Sequence, residues 1–360
     1  MTILENPGTT LHSPAVLAWH PVCSSDELET LWGEAALVGG EQIALFLLPD
    51  GRVRVVSNLD PATGAAVMSR GIVGSRRVDG VDRPTIASPL HKDVFDLETG
   101  ACYTRSSLRL PTWHSRERDG MIEVRRRTAL VAASHGTSDH GGRRAVAALV
   151  EAVRTANPEA DVLDSFVDVQ QPDVPSVLAA LAPGQSAAVV PLLLSAGYHV
   201  HVDLAEAAEE ADRPVRITGA LGPDARLATV LARRLHQAGL GADDRVVLAA
   251  AGSSDASAVT DCHTMGELLA LELGHEVTVS FISAAHPRVP DAVASARAAH
   301  PDARVVVATY LLAPGYFATL AAEAGADLTS DPLLLDPAGS AADATPTELV
   351  DIVSELYRTA

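Results

Sequence analysis

The sequence predicts a multi-domain protein in which an all-β domain is followed by two homologous α/β lobes with parallel sheets. Two observations support this fold class. At about residue 128 the hydrophobic pattern changes from short β segments, punctuated by Gly and Pro, to apolar strands that alternate with Ala-rich helices. Within the second region, three stretches recur in the same order at an offset of about 115 to 118 residues.

The β pattern starts with a predicted hairpin. Residues 40–48 and 52–57 are strand-like, and the turn sequence Pro49-Asp50-Gly51 separates them. Several short strands at close spacing are typical of a small sandwich or barrel. Further strands of this kind are expected around residues 83–87, 93–97, 101–104 and 119–125.

The α/β pattern predicts two parallel sheets. Apolar runs such as residues 129–134 alternate with amphipathic helical stretches such as 143–154, which is the pattern of βαβ units whose sheet is covered on both faces. Strands are expected near residues 129–134, 162–169, 186–194, 214–219, 244–251, 276–283, 303–311 and 327–330.

These patterns also give domain boundaries. We expect a disordered N-terminus (1–15), the β domain (16–124), a first α/β lobe (128–240), a second lobe (241–336) and a C-terminal segment with a helix (337–360).

The two lobes differ at three polar positions. The first lobe has His135, Asp168 and His199, where the second lobe has Ala251, Ser283 and Phe317. The scaffold is thus present twice, whereas the candidate site is present once.

The three polar residues of the first lobe each lie at the carboxyl end of a predicted strand, where open α/β sheets bind ligands. Two imidazoles and a carboxylate at one edge make a weak site for a divalent first-row metal, which suits a metal that is handed on. We predict His135, His199 and Asp168 as catalytic residues and metal ligands. We predict Ser134, Gly136, Tyr198 and His201 as substrate contacts.

Composition and charge disfavour several classes of protein. A net charge of -19 disfavours nucleic acid and anionic membranes as partners. No apolar run approaches membrane-spanning length, and the stretch MTILENPGTTLHSP lacks a signal-peptide pattern. Three scattered cysteines, Cys23, Cys102 and Cys262, do not indicate a disulfide framework. We therefore expect a cytoplasmic protein without nucleic-acid or membrane partners.

Three motifs of the second region resemble those of one enzyme family. They are Ser134-His135-Gly136, Phe166-Val167-Asp168 with Pro172 beyond it, and Gly197-Tyr198-His199-Val200-x-x-Asp203. They resemble the motifs of the sirohydrochlorin chelatases, class II chelatases related to protoporphyrin ferrochelatase, and the resemblance covers both lobes, about 128–336. It implies insertion of a divalent metal into sirohydrochlorin. The family usually has Glu where this chain has Asp168, whose shorter side chain reaches less far.

The implied reaction suits these residue types. A tetrapyrrole loses two inner N–H protons as the metal enters, and neutral His both binds metal and accepts protons near pH 7. Sirohydrochlorin carries eight carboxylates, which a chain of net charge -19 repels, so local cations are needed. The candidates are Arg143, Arg144, Arg213, Arg216 and Arg288.

The β domain has motifs of its own. They include Trp19-His20-Pro21-Val22-Cys23, Ser88-Pro89-Leu90-His91-Lys92 and Phe95-Asp96-Leu97-x-Thr99-Gly100. Over about residues 16–124 they resemble the small subunit of assimilatory NAD(P)H nitrite reductase, a Rieske-type fold that typically lacks the cluster. The resemblance implies the nitrite reductase large subunit as a partner through residues 16–124.

A Rieske cluster is held by two Cys and two His. Here Asn58, Asp60 and Ser88 stand at three of the four ligand positions, and only His91 remains. Because a [2Fe–2S] cluster needs its thiolates, we expect no iron–sulfur cluster.

Together, the resemblances imply a sirohydrochlorin ferrochelatase of siroheme biosynthesis, linked to assimilatory nitrite reduction. Nitrite reductase of this class uses siroheme, which favours Fe²⁺ over Co²⁺ as the metal substrate. Two alternatives stay open: a sirohydrochlorin cobaltochelatase of cobalamin biosynthesis, and a non-catalytic nitrite reductase small subunit that binds tetrapyrrole. The missing thiolates count against a Rieske electron-transfer protein.

Overall fold

The computed structural model describes residues 19–360 except 79, 159, 182–184, 196 and 340–342, and the side chains of residues 198–201 also lie outside the description. The N-terminus predicted to be disordered, 1–15, lies outside the described residues. The chain forms two compact units. The first contains the residues up to Thr128 with the short segments 158–160 and 183–186, and the second contains the rest.

The first unit is built from antiparallel strands, which confirms the predicted all-β domain. One sheet has the order β1-β9-β8-β4-β3-β2 and the other has the order β5-β6-β7. The strands are β1 (His20–Ser24), β2 (Gly33–Val38), β3 (Glu41–Leu47), β4 (Val53–Ser57), β5 (Ile72–Val78), β6 (Val81–Ala87), β7 (Val94–Asp96), β8 (Thr112–Arg118) and β9 (Met121–Arg126). Short 3-10 helices cover Ser25–Glu27 and Met68–Arg70.

The predicted hairpin is confirmed as β3–β4, whose turn is closed by a hydrogen bond from Gly51 N to Leu48 O (3.0 Å). Strand β3 is buried on both faces, because Ala44 and Phe46 belong to one apolar cluster and Ile43 and Leu45 to another. The strand expected at 101–104 is wrong, since this segment makes isolated bridges only, from Ala101 to Arg109 and from Cys102 to Phe95.

The second unit contains two parallel sheets of the same topology, which confirms the predicted α/β lobes. The first lobe has the strand order β11-β10-β12-β13. Its elements are β10 (Ala129–Ser134), α1 (His140–Ala156), β11 (Asp161–Phe166), α2 (Val174–Ala180), β12 (Ala187–Pro191), α3 (Tyr198–Glu210), β13 (Val215–Ile217) and α4 (Ala225–Ala238).

The second lobe repeats this arrangement with the order β15-β14-β16-β17. Its elements are β14 (Arg245–Ala250), α5 (Ala256–Leu273), β15 (Val277–Phe281), α6 (Val289–Ala299), β16 (Val305–Tyr310), α7 (Tyr316–Ala322) and β17 (Leu328–Thr329). In both lobes the central strands are buried along their length, as expected for a parallel sheet covered on both faces.

The C-terminal helix α8 (Thr347–Thr359) packs against α1 and α4 of the first lobe. Leu349, Ile352 and Val353 are buried there, and Glu355 forms an ion pair with Arg226. Among the described residues, no helix has both the length and the apolar character that crossing a membrane requires.

Candidate active site

The carboxyl ends of β10 and β11 bring two predicted site residues together. The strands pair in parallel with Ser134 beside Phe166, and the pairing continues past both strands. Val167 N donates to Ser134 O (2.9 Å), and Asp168 N donates to His135 O (3.0 Å). Ser134 is buried, whereas His135 and Asp168 are exposed. An imidazole and a carboxylate therefore lie on neighbouring, backbone-paired residues at the solvent-facing edge of the sheet.

Gly136 permits this close pairing. Its φ is +89°, and a Cβ there would overlap the backbone oxygen of Asp168. The second lobe repeats the arrangement, because Gly252 has the same φ and a Cβ there would overlap the backbone oxygen of Ser283. Since the glycine is kept in the lobe that lacks the histidines, the scaffold explains it without a substrate contact.

The carboxylate of Asp168 and the hydroxyl of Ser283 behave differently at these matching positions. Asp168 Oδ1 accepts a hydrogen bond from the next residue, Val169 N (2.7 Å), which holds the side chain against its own turn. Ser283 Oγ instead donates to Ala251 O (2.9 Å), so it joins the two loops of the second lobe. The first lobe thus places a negative charge where the second lobe has an internal hydrogen bond.

The third predicted group follows β12, the other neighbour of β10. Leu192 N donates to Ala133 O (2.8 Å), and helix α3 then begins at Tyr198 with Gly197 as its N-cap. The backbone of Tyr198, His199 and His201 lies in the first turn of α3, and their side chains lie outside the described residues. The structure therefore joins His135 to Asp168, and the reach of His199 and His201 stays a prediction.

The carboxyl edges of the two sheets face each other. A Cβ built on Gly197 would lie 3.7 Å from Ser253 Oγ, and a Cβ built on Gly315 would lie 3.5 Å from Thr137 Oγ1. Thr137 and Ser253 are matching residues of the repeat, and so are Gly197 and Gly315. The first loop of each lobe thus meets the third loop of the other, which indicates an approximate two-fold relation with the candidate site where the lobes meet.

Contacts between residues of the two lobes hold the lobes together. A Cβ on Gly142, in the first turn of α1, would overlap the backbone oxygen of Pro314. Tyr310 Oη donates to Leu194 O (2.9 Å). Arg144 Nε donates to Asp336 Oδ1 (2.8 Å), and this guanidinium lowers the pKa of Asp336 to about 2.

The Rieske-type ligand positions of the first unit are held by hydrogen bonds. Ser88 Oγ donates to Asp60 Oδ2, which joins the two loops that carry these positions. Asn58 Oδ1 accepts from Ser69 N (2.8 Å), and Asp60 Oδ1 accepts from Ala62 N (2.9 Å). Burial alone would raise the pKa of Asp60, but hydrogen bonds from Ser88 and from backbone N–H groups lower it. Without thiolates, and with these oxygens bonded to each other, the residues do not fit a [2Fe–2S] cluster.

Comparison with protein families identifies the family of the second unit. The CbiX family model matches residues 129–238 and 245–324, more than half of the chain. The chain belongs to the CbiX family. This confirms the resemblance to the sirohydrochlorin chelatases that the motifs indicated.

The CbiX lobes are also similar to solved structures. SirB from Bacillus subtilis with Fe³⁺ superposes with a TM-score of 0.53 at 19% identity, covering 64% of this chain and 94% of SirB. The sirohydrochlorin chelatase SirB from Bacillus subtilis subspecies spizizenii, in complex with cobalt, gives a TM-score of 0.50 with the same identity and coverage. At this identity the likeness shows a shared two-lobed fold.

The N-terminal unit of the CbiX protein matches a second family model, the Rieske-like [2Fe-2S] domain, over residues 18–125. Over 108 residues it is 32% identical to the nitrite reductase (NADH) small subunit of Salmonella typhimurium, covering 30% of this chain and 96% of that protein. The resemblance of the β domain to nitrite reductase small subunits is confirmed.

Of two further side chains near the His135 loop, the sequence indicated one only weakly and did not indicate the other. Arg143 donates from Nε to Thr137 O (2.8 Å), two residues after His135. Tyr316 begins α7 directly after Gly315 and is 72% exposed. A comparison of the two lobes indicates Arg143, because the second lobe has the apolar Val259 at the matching position. Among the described residues, no group of three His, Cys, Asp or Glu side chains lies close enough to hold a metal, and the side chain of His199 is not among those residues.

Proposed function

We propose that the CbiX lobes insert Fe²⁺ into sirohydrochlorin. The observation that carries the proposal is the backbone pairing of His135 with Asp168 at the exposed edge of the first lobe. At the matching edge of the second lobe, Ala251 and Ser283 offer neither an imidazole nor a carboxylate. A site with few protein ligands suits this task, because a metal held by a full set of ligands would not leave for the ring.

The proposed roles follow from the chemistry of the side chains. A neutral imidazole binds a first-row metal through a ring nitrogen, and it can also accept a proton from the ring. We assign both tasks to His135 and His199, so that two imidazoles can serve the two protons that the macrocycle loses. The carboxylate of Asp168 supplies the negative charge that attracts a divalent cation to the exposed edge.

The choice of metal rests on the fused domain. Nitrogen and oxygen ligands generally bind Co²⁺ more tightly than Fe²⁺, so the ligand set alone would favour cobalt. The N-terminal unit, however, is of the nitrite reductase small-subunit type. Assimilatory nitrite reductase uses siroheme, the iron product of sirohydrochlorin, and this link supports Fe²⁺ as the substrate.

We further propose that residues 16–124 bind the nitrite reductase large subunit and hold no iron–sulfur cluster. The buried bridge between Ser88 and Asp60 supports this, because it joins the loops that a cluster would otherwise join. The domain would then connect the place where siroheme is made to an enzyme that needs it.

The decisive experiment is an anaerobic assay of the purified full chain with sirohydrochlorin and Fe²⁺, Co²⁺ or Ni²⁺, followed by the absorption of the metallated ring. We expect catalysed insertion of Fe²⁺ above the rate without protein. Insertion of Co²⁺ at a higher kcat/KM than Fe²⁺ would support the cobaltochelatase alternative. Binding of sirohydrochlorin without accelerated insertion of any metal would support a non-catalytic tetrapyrrole-binding subunit.

A further inference from the structure

We propose that Arg143 and Tyr316 flank His135 and form a binding subsite for a flat polycarboxylate ring, in which Arg143 binds a peripheral carboxylate and Tyr316 covers the ring face. The inference deepens the proposed function and rests on it. Thr137 lies near both residues: its carbonyl accepts a hydrogen bond from the guanidinium, and its hydroxyl lies 3.5 Å from where a Cβ on Gly315, the residue before Tyr316, would be.

A hydrogen bond to the His135 loop positions the side chain of Arg143 for this role. Its Nε donates to Thr137 O (2.8 Å), and the side chain is exposed. The nearby carboxylate of Asp336 is already paired with Arg144. Among the described residues, no carboxylate forms an ion pair with Arg143. The two terminal nitrogens of a guanidinium held in this way are suited to bidentate binding of an external carboxylate.

The other candidate arginines are engaged elsewhere or lie away from the His135 loop. Arg213 is buried and pairs with Asp212. Arg288 donates to Ile282 O (3.1 Å) in the second lobe. Arg216 is exposed on β13, at the edge of the first sheet opposite β11. Of the five arginines considered, Arg143 is the one whose guanidinium contacts the loop that carries His135.

The charge of the chain makes such a cation necessary. Nearly all of the net charge of -19 arises from residues 129–360. A polycarboxylate ligand is repelled by this field and needs a local positive group where it binds. The second lobe, which lacks the histidines, has the apolar Val259 in place of Arg143.

Tyr316 supplies the apolar face. It is 72% exposed and adjoins Phe317, which is 36% exposed, with their rings 6.2 Å apart. Contiguous exposed apolar surface often marks a ligand site, and an aromatic ring can stack on a flat ligand. Gly315 lies close to the loop 135–139. Tyr316 and Phe317 are the next two residues of the chain, so both rings lie close in sequence to the place where the lobes meet at the His135 loop.

The carboxylate half of the proposal is tested by Arg143→Gln and Arg143→Lys in the full chain, with Arg216→Gln as a control that removes the same charge from the same unit. We expect Arg143→Gln to raise the KM for sirohydrochlorin about 10-fold, the low end for a charge-assisted hydrogen bond, with kcat within about two-fold. Arg143→Lys should recover part of the loss, and added salt should reduce the ratio of the Arg143→Gln KM to the wild-type KM, because salt screens the local attraction that only the wild type has.

The ring half is tested by equilibrium dialysis of sirohydrochlorin without metal. We expect Tyr316→Ala to weaken binding about 5-fold and Tyr316→Phe to bind like the wild type, since the ring and not the hydroxyl makes the contact. Wild-type KM in Arg143→Gln, or wild-type binding in Tyr316→Ala, overturns that half of the proposal. If the wild type itself neither binds nor metallates sirohydrochlorin, it is the proposed function that fails.

Discussion

The two lobes of the second unit share a strand order, a left-handed glycine after the first strand and a contact with the opposite lobe. They differ at the three positions predicted to bind a metal, where His135, Asp168 and His199 are matched by Ala251, Ser283 and Phe317. The features kept in both lobes are those that the backbone pairing requires. The features present in one lobe only are the side chains of His135, Asp168 and Arg143, all of which are exposed. The duplication therefore separates the residues that the fold requires from the residues to which we assign the reaction.

The Rieske-type ligand positions of the β domain differ in burial from the predicted ligand positions of the lobes. In the second lobe, half-buried Ala251 and Ser283 occupy the positions that match the exposed His135 and Asp168. In the β domain, Asn58, Asp60 and Ser88 are 3%, 1% and 0% exposed, and hydrogen bonds satisfy them. The buried polar side chains of the β domain need hydrogen-bond partners, whereas Ala251 has no polar side-chain group that needs one.

The largest effect should come from removing the histidine that distinguishes the lobes. We expect His135→Ala to lower kcat/KM for metal insertion more than about 100-fold with an unchanged far-UV CD spectrum, because a ligand and proton acceptor is lost from an exposed position. The matched control is His300→Ala, an exposed histidine at the end of α6, which should keep wild-type activity. Wild-type turnover of His135→Ala at limiting Fe²⁺ would show that His135 has no role in the reaction, and the difference between the lobes at this position would then not explain activity.

The matched glycines Gly136 and Gly252 allow a second test of the comparison, because both are needed for the backbone pairing of their lobe. We expect Gly136→Ala and Gly252→Ala each to lower the free energy of unfolding by about 2 to 4 kcal/mol, since each methyl group meets a backbone oxygen at positive φ. Every α-helix of the described residues lies in the second unit, so the CD signal at 222 nm reports its unfolding.

Activity should then separate the two glycine variants. Per folded molecule, Gly252→Ala should keep its kcat, whereas Gly136→Ala should lose activity because the His135–Asp168 pairing shifts. Equal losses of activity in both variants would mean that the second lobe also takes part in catalysis.

Sequence alone predicted the α/β architecture well, because buried strands of a parallel sheet are continuous apolar runs. The run 129–134 is β10 without a shift of boundary, and 245–250 and 305–310 lie within the expected spans. The β domain was harder. Strand β5 is mostly exposed and carries Gly, Ser and Arg, so it shows no apolar alternation. Its existence depends on pairing with β6, which a local pattern cannot reveal.

The candidate site was predictable in part for a similar reason. The rule for strand ends places His135 and Asp168 at one edge, and the backbone pairing agrees. Tyr316 could not be predicted in this way, because it is an aromatic residue of the second lobe and nothing local in the sequence shows that α7 lies against the first lobe. That contact depends on Gly315 and Thr137, which are far apart in the chain.

Burial also predicts a pH dependence for the β domain. Burial, with help from Arg127 and Arg125, lowers the pKa of His114 to about 4 from 6.5. The unfolded chain therefore binds the proton first, and the stabilisation present above pH 6.5 is lost as the pH falls toward 4. We expect a loss of about 2 to 3 kcal/mol across this range, followed by tryptophan fluorescence in urea, since Trp19, Trp32 and Trp113 all lie in this unit. His114→Gln should remove most of this slope, and an unchanged slope would assign it to other groups.

The hydrogen-bonded bridge of the β domain should contribute a comparable amount. We expect Ser88→Ala to lower the free energy of unfolding of this unit by about 1 to 3 kcal/mol, because the buried carboxylate of Asp60 loses a donor. Ser75→Ala, on the exposed part of β5, is the control and should change it by less than about 0.5 kcal/mol. Iron and acid-labile sulfide at near-stoichiometric levels after anaerobic reconstitution of the wild type would contradict the view that this bridge replaces a cluster.

The smallest effect should come from giving the first lobe the residue of the second. We expect Asp168→Ser to raise the KM for Fe²⁺ about 10-fold with little change in stability, because a serine there lacks the charge and can bond to the His135 carbonyl as Ser283 bonds to Ala251 O. Asp168→Glu keeps the carboxylate one methylene farther out and should stay within about three-fold of the wild type. The reciprocal change, Ser283→Asp, should leave the rate unaltered, because Ala251 beside it offers no imidazole. A gain of activity in Ser283→Asp would show that the second lobe retains a latent site, and the proposal that only the first lobe is active would then be wrong.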